Sequence, residues 1–456
     1  MRILWICNIM LPVAARHLNR EVSNKEGWLT GLLSTILERQ EENQIFLGAA
    51  FPVPEDMGSY QEVLAAEGKC LTCYGFHEDT THAERYDPAL EARMSEIEQD
   101  FRPDVIHCFG TEYGHTLAVC RSIPDKKRIL ISIQGLCSVY ANAYMANLPE
   151  EVRERVTFRD LLRQDSLRRQ QQKYAERGRR EIEAVQNAGN VSGRTDWDRH
   201  YVKEWNPNVK YYNMNETLRP EFYQGEWNRE TCEPYTIFLS QGDYPVKGLH
   251  YMLLALPEIR KRYPEVRVCV AGNSIVRDKT LKDKLKLSSY GKYLRDIISK
   301  YSLADMVTFL GRLSGEEMKR QYLKSGLFLC CSTLENSPNS LGEAMLLGVP
   351  CISADVGGIP SLFRHEEDGI LYKGFRSSLN SFDNDCYEEM PEADQLELIV
   401  KGLTDAVFRI WGNEEEKLAF AHTARNHAKM IHEREANYIR MVEIYADIVE
   451  ACRFAE

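Results

Sequence analysis

Residues 332–350 read STLENSPNSLGEAMLLGVP. The apolar run GLFLCCS (326–332) ends where this stretch begins, and VPCISA (349–354) closes it. Between those two runs Ser337 can cap a helix and Pro338 can take its first position, which predicts a helix over 338–347. Strand, helix and strand in that order make a parallel crossover unit. The pattern recurs upstream. YTIFLSQG (235–242), EVRVCVAG (265–272) and MVTFLG (306–311) read as strands, with helical patterns at 248–262, 291–302 and 315–325. An earlier series holds RILWIC (2–7), QIFLGA (44–49), DVIHCFG (104–110), RILISIQG (128–135), GNVSG (189–193) and VKYYN (209–213). A helix over 25–39 puts Trp28, Leu29, Leu32, Leu33, Ile36 and Leu37 on one face, with Ser23 and Glu26 as a capping box. Thr195 and Asp198 form a second box, opening a helix into residue 205. Strands alternating with helices predict two α/β domains, each a doubly wound parallel sheet.

The polar stretch 215–234 separates the two series. We therefore expect a first domain over 1–218, a linker over 219–234 and a second domain over 235–431. The helical tail, about 432–456, is expected to pack back on the first domain. Two such domains imply a cleft with a hinge near 215–234. Ligands of doubly wound sheets sit outside the carboxyl ends of the strands. Residues 151–180 hold ten Arg or Lys against five acids, which reads as a long solvated helix or a contact with an anionic membrane or charged acceptor. Residues 375–394 read as a polar surface loop.

Composition limits the function. The 456 residues, at about 150 per domain, suit two or three domains. With 43% apolar and 27% charged residues the chain is an ordinary globular one. Its net charge of −11 argues against general nucleic-acid binding. No apolar run is long enough to span a bilayer. The start, MRILWICNIMLPVAA, has the look of a short signal peptide, but the repeats of its pattern downstream favour a first buried strand. Thirteen scattered Cys suit free thiols in a reducing cytoplasm, and Cys70 and Cys73 form a CxxC with no second pair at zinc spacing. Dinucleotide, P-loop, HExxH and GxSxG signatures are missing. His107, His115 and His200 have no metal-ligand spacing and read as structural.

The chemistry is expected after the strands. Amides of Asn339, Ser340 and Leu341 at a helix N-terminus favour a phosphate. Glu343, a turn further on, can accept two ribose hydroxyls, and Glu335 can do the same for a sugar. Both acids also read simply as complements to the helix dipole. A glycosidase pair would need carboxyls about 5–5.5 Å apart, and nothing here demands one. Lys247 stands at the mouth of the next helix and can reach a diphosphate, with Gly248 allowing close backbone approach. In the first domain Gly27 opens a helix after the loop 8–26, which carries Arg16 and His17 as acceptor contacts.

These segments together resemble the family 4 glycosyltransferases of the GT-B fold. ENSPNSLGEAMLLGVP, with the following VGGIPSLF and DGILY, looks like the family's Glu-x7-Glu block. VKGLHYMLLAL looks like its Lys-Gly segment, Gly27–Trp28 its Gly-rich helix start, and DVIHCFG its fourth strand. The resemblance implies two Rossmann-like domains facing each other across a cleft. It implies that Glu335 touches the donor sugar, Glu343 the ribose, and Lys247 the diphosphate, with Gly27 approaching the donor from the other wall. Asn339, Ser340 and Leu341 would cradle the diphosphate, and backbone near Arg312 and Leu313 would face the base. Gln134 stands where the family often has a catalytic His, and Gly242 where it often has Arg. Glu335, Lys247 and Gln134 are the expected catalytic residues, and Arg16, His17 and His107 the expected acceptor contacts.

The implied activity is retaining transfer from a nucleotide sugar to a glycan or lipid-linked acceptor in surface-polysaccharide synthesis. No metal or other cofactor is expected, and no nucleic-acid partner. The implied location is the cytoplasm, peripheral at the inner membrane face through 151–180. Gly242 and Gln134 keep a second option open, a non-catalytic GT-B-like scaffold subunit. A phosphorylase-like enzyme is a weaker third, with no lysine to single out for pyridoxal phosphate.

Overall fold

The computed structural model describes residues 1–456 apart from 21–26, 40–41, 43, 58, 67–68, 277–279, 281–282, 284, 376–389 and 454–456. The Ser23–Glu26 capping box and most of the 375–394 loop lie outside the described residues. Two compact units result. One comprises Met1–Val139, Lys173–Arg219 and His432–Glu456, the other Tyr140–Gln172 and Pro220–Ile431.

The first unit holds an eight-stranded sheet. Its strands are β1 (Arg2–Ile6), β2 (Phe46–Pro52), β3 (Gln61–Ala66), β4 (Lys69–Phe76), β5 (Val105–Phe109), β6 (Ile129–Ser132), β7 (Asn190–Gly193) and β8 (Lys210–Asn213). Their order is β3-β4-β2-β1-β5-β6-β7-β8. Neighbours run parallel, as in Ile3 opposite both Leu47 and Val105. The exception is the antiparallel pair β3–β4. That hairpin was not expected. It places Cys70 outside and Cys73 inside, because residues three apart on a strand face opposite ways. Burial pushes the Cys73 thiol up to about 12, the behaviour of an inert core thiol rather than a metal ligand. The helix Gly27–Glu38 buries Leu29, Leu32, Leu33 and Ile36 as the periodicity predicts, and Thr195 and Asp198 cap the helix Asp196–Trp205 reciprocally. The C-terminal helix Arg434–Arg453 packs on this sheet, where the Tyr445 hydroxyl accepts the indole N–H of Trp5 at 3.0 Å.

The second unit holds β9 (Glu233–Leu239), β10 (Arg267–Ala271), β11 (Val307–Gly311), β12 (Ser325–Cys330), β13 (Cys351–Asp355) and β14 (Ile370–Lys373). All are parallel, in the order β11-β10-β9-β12-β13-β14. The chain moves outward from β9 to β11, then restarts on the other side of β9 with β12. The switch point of this sheet therefore lies between the carboxyl ends of β9 and β12.

The units divide the chain differently from the expected 1–218 and 235–431. Tyr140–Gln172 belongs to the second unit, tied there by side-chain bonds that span more than a hundred residues. The Tyr251 hydroxyl donates to Asn147 at 2.8 Å, the Ser289 amide to Asp160 at 3.0 Å, and the Ser289 hydroxyl to the Val152 carbonyl at 2.7 Å. Arg153 pairs with Glu392. The expected linker is also packed into this unit, since the Trp227 indole donates to the Ser325 carbonyl at 2.8 Å. The expected long helix over 151–180 is broken into Glu150–Arg153, Phe158–Arg163 and Leu167–Gln186, with Thr157 and Asp160 capping the middle piece.

Candidate active site

The loops after β9 and β12 meet at the switch point of the second sheet. After β9 a tight turn, Pro245–Lys247, leads into Gly248 with φ at +67°. A Cβ at Gly248 would stand 1.8 Å from the Cys331 carbonyl oxygen, so only glycine lets the two loops come this close. The Thr333 amide then donates to the Val246 carbonyl at 2.7 Å, stitching the β12 loop to the turn. The result is one contact between residues 88 apart in sequence. Lys247 Nζ lies 2.5 Å from Glu335 Oε1.

That pair is built on both sides. Glu335 is buried, its Oε1 also accepts the Ser332 hydroxyl at 2.7 Å, and its Oε2 faces the Tyr140 hydroxyl at 3.4 Å. From behind, Gly358 donates its amide to the Glu335 carbonyl at 3.0 Å, and a Cβ at Gly357 would come within 2.1 Å of that oxygen. Here lies the physical use of the VGGIP segment. Burial alone would lower the Lys247 pKa, but the Glu335 carboxylate and the Tyr244 and Tyr140 rings outweigh it and hold the ammonium well above its usual value. Lys247 is a permanent cation here, with the Tyr244 ring 5.7 Å from it.

Four residues past Glu335 the helix Asn339–Leu347 begins. Pro338 is its N-cap rather than its first residue, and the expected Ser337 cap does not form. The Leu341 amide is turned back onto the Pro338 carbonyl at 3.0 Å, which takes it out of the expected cradle. Ser340 stays half-buried in the first turn. Tyr322 links this turn to Glu343, its hydroxyl 2.9 Å from the Ser340 carbonyl and 3.4 Å from Glu343 Oε2. Glu343 is itself buried.

A polar chain crosses the carboxyl ends of β9, β10 and β11. Gln241 donates to Asp243 at 3.0 Å, Asn273 to Asp243 at 3.1 Å, and Arg312 Nε to Asn273 at 3.2 Å. Arg312 is exposed and Leu313 half-buried beside it. Gly242 lies inside this run. A Cβ there would sit 2.7 Å from Leu249 Cδ2 and 2.9 Å from Val270 Cγ1. A larger side chain at this position would have to displace Leu249 and Val270.

The remaining expected residues lie in the first unit. Gln134 donates to Glu216 at 2.9 Å, and Arg194 pairs with the same carboxylate at 2.9 Å. Gly27 is the first residue of its helix. Arg16 is exposed on the helix Pro12–His17, and His17 contacts Glu62 at 2.8 Å. His107, expected to touch an acceptor, is instead fully buried on β5. Its two ring nitrogens lie 2.6 Å from the hydroxyls of Tyr445 and Ser132, and burial lowers its pKa to about 3. Neither nitrogen is open to a ligand. Tyr140, Ser332, Tyr244 and Tyr322 were not singled out in the sequence, because no local spacing marks them. Among the described residues no group of three or more His, Cys, Asp or Glu is placed to hold a metal ion.

The family Glycosyl transferases group 1 matches residues 221–379, the stretch that carries Lys247, Glu335 and Glu343. Over those residues the chain is similar to the group 1 glycosyltransferases. A glycosyltransferase of Methanocaldococcus jannaschii is 28% identical over 138 residues, 30% of this chain and 31% of that protein. Spore coat protein SA of Bacillus subtilis is 29% identical over 133 residues, 29% of this chain and 33% of that protein. The chain thus matches about a third of the length of these curated relatives. Among solved structures, sucrose-phosphate synthase from Thermosynechococcus elongatus aligns with a TM-score of 0.65 and 14% identity, over 99% of this chain and 100% of that one. HepE of Anabaena, in complex with UDP and glucose, aligns at 0.60 and 13%, over 98% and 100%. At such identities the likeness is one of fold. The fold of this chain, like that of these neighbours, is GT-B.

Proposed function

We propose that this protein is a retaining glycosyltransferase that moves a sugar from a nucleotide sugar to a glycan or lipid-linked acceptor. The observation that carries the proposal is the Lys247–Glu335 pair at the β9/β12 switch point, four residues before a helix N-terminus. Lys247 supplies positive charge to the departing diphosphate, and the first turn at Asn339 and Ser340 supplies the positive end of a helix dipole. Glu335 holds donor-sugar hydroxyls and Glu343 the ribose. Arg312 and Leu313 flank the base.

In the reaction the acceptor hydroxyl attacks the anomeric carbon on the face that the diphosphate leaves. The bond from that carbon to the phosphate oxygen breaks, and the hydroxyl proton passes to that oxygen. No basic side chain is needed for this, which suits a glutamine at position 134. Arg16 and His17 are acceptor contacts in this scheme; His107 is not. Support for the donor class comes from the solved neighbour that holds UDP and glucose. We place the enzyme in surface-polysaccharide synthesis on the cytoplasmic side, using no metal.

A screen of nucleotide sugars, read as nucleoside diphosphate released with and without acceptor glycans, tests the proposal. Release from at least one donor is expected. A folded protein that binds and turns over none of them is a scaffold subunit, and the proposal fails.

A further inference from the structure

The short helix Phe158–Arg163 is amphipathic in the wrong direction for a soluble protein. Asp160 points inward and is 1% exposed, whereas Phe158, Leu161 and Leu162 are 60%, 70% and 75% exposed. At 3.6 residues per turn these three fall within about 100° of one another, on the face opposite Asp160. Val156, just before the helix, is 57% exposed. The other exposed large apolar residues among those described, such as Val13, Phe46, Leu398 and Met430, are scattered over the chain.

The outward face is held in place by the inward one. Asp160 closes the capping box with Thr157, accepts the Ser289 amide at 3.0 Å and pairs with Arg159, and Arg159 also reaches Asp165. Val152 is fully buried and its carbonyl takes the Ser289 hydroxyl. The four apolar side chains are thus presented on a fixed base. They leave on the order of 400 Å² of apolar surface exposed, within the range of the largest apolar patch on a typical monomer, which is often a functional one.

We infer that this knob inserts into the interface of a lipid bilayer carrying anionic headgroups. Two observations choose that occupant. The patch is about half of the roughly 800 Å² per partner that a stable protein interface takes, while it suits shallow insertion at the headgroup–acyl boundary. The second observation is charge. Arg163 follows Leu162 directly and Arg169 lies in the next helix; both are exposed, and no carboxylate among the described residues pairs with either. On a chain of net charge −11, such a locally basic rim is what can orient the molecule toward anionic phosphates. This inference goes beyond the donor chemistry and does not depend on it.

The test is co-sedimentation of the full chain, without nucleotide, with mixed phosphatidylcholine–phosphatidylglycerol vesicles and with phosphatidylcholine alone. Binding to the mixed vesicles that weakens with salt is expected. The variant Phe158→Ser/Leu161→Ser/Leu162→Ser should lose about tenfold or more of that partitioning, with an unchanged thermal midpoint and nucleotide affinity. Arg163→Glu/Arg169→Glu, which leaves the apolar face intact, should lose the preference for anionic vesicles. Wild type that stays in solution with both vesicle types overturns the inference. So does a triple variant that sediments like wild type. A wild type that is a dimer in solution and becomes a monomer on triple substitution would assign the patch to a second copy of the chain instead.

Discussion

Replacing Lys247 with Met separates structural from functional roles for the central ion pair. The change keeps the length of the side chain and removes its charge. Among the described residues Glu335, buried and 2.5 Å away, is then left with the Ser332 and Tyr140 hydroxyls. Removing one partner of a buried pair costs about 3–5 kcal/mol. The lysine side chain is 19% exposed and two hydroxyls remain on the carboxylate, so the lower end, about 3 kcal/mol, is expected. Urea unfolding reads that loss. In Lys247→Met/Glu335→Gln most of it should return, because no buried charge is then left unpaired. Diphosphate binding should behave differently. A charged hydrogen bond is worth about 1.5–3 kcal/mol, so Lys247→Met should weaken nucleoside diphosphate binding about ten- to a hundredfold by calorimetry. The double variant should not recover it. Glu335→Gln alone should bind the diphosphate as tightly as wild type or more tightly, since the ammonium is released from its carboxylate, while sugar transfer falls. If Lys247→Met loses stability but binds the diphosphate with wild-type affinity, the pair is structural only and the site assignment is refuted.

Three further outcomes follow from the same geometry. Glu343→Gln should lose most discrimination between a ribonucleoside diphosphate and its 2′-deoxy analogue, read by competition binding; retained discrimination would remove Glu343 from the ribose. Gly248→Ala places a methyl 1.8 Å from the Cys331 carbonyl at φ +67°, and should destabilise by more than about 3 kcal/mol in denaturant titration. His107 has a folded-state pKa of about 3 against about 6.5 when unfolded, so the unfolded chain binds its proton first as pH falls. Stability from this group is full above pH 6.5 and drains between about 6.5 and 3, roughly 2 kcal/mol by pH 5. The stability difference between wild type and His107→Asn should shrink by that amount from pH 7 to 5, and a difference independent of pH would place His107 in contact with solvent.

Much of the fold could be read in the sequence, because a parallel strand buried on both faces is a short unbroken apolar run. RILWIC, DVIHCFG and GLFLCCS each became a strand within a residue or two. The β3–β4 hairpin escaped because QEVLAA, on the sheet edge, and KCLTCYGF beside it break their apolar runs with polar residues. The placement of 140–172 escaped for another reason. Its partners, Tyr251, Ser289 and Glu392, lie far along the chain, and no local pattern encodes a bond of that range. The site was half legible. Lys247 and Glu335 stand where strands end, so topology alone brings them together. Tyr140 and Tyr322 carry no positional signature, and the Leu341 amide was misjudged because a proline N-cap lets the first turn tighten onto its carbonyl.

The most direct measurement is a crystal structure of the chain soaked with UDP, and with other nucleoside diphosphates in parallel. One of them should appear with its distal phosphate on Lys247 Nζ and the Ser340 amide, and its ribose on Glu343. A nucleotide bound away from the β9/β12 switch point, with Lys247 still closed on Glu335, would contradict the account.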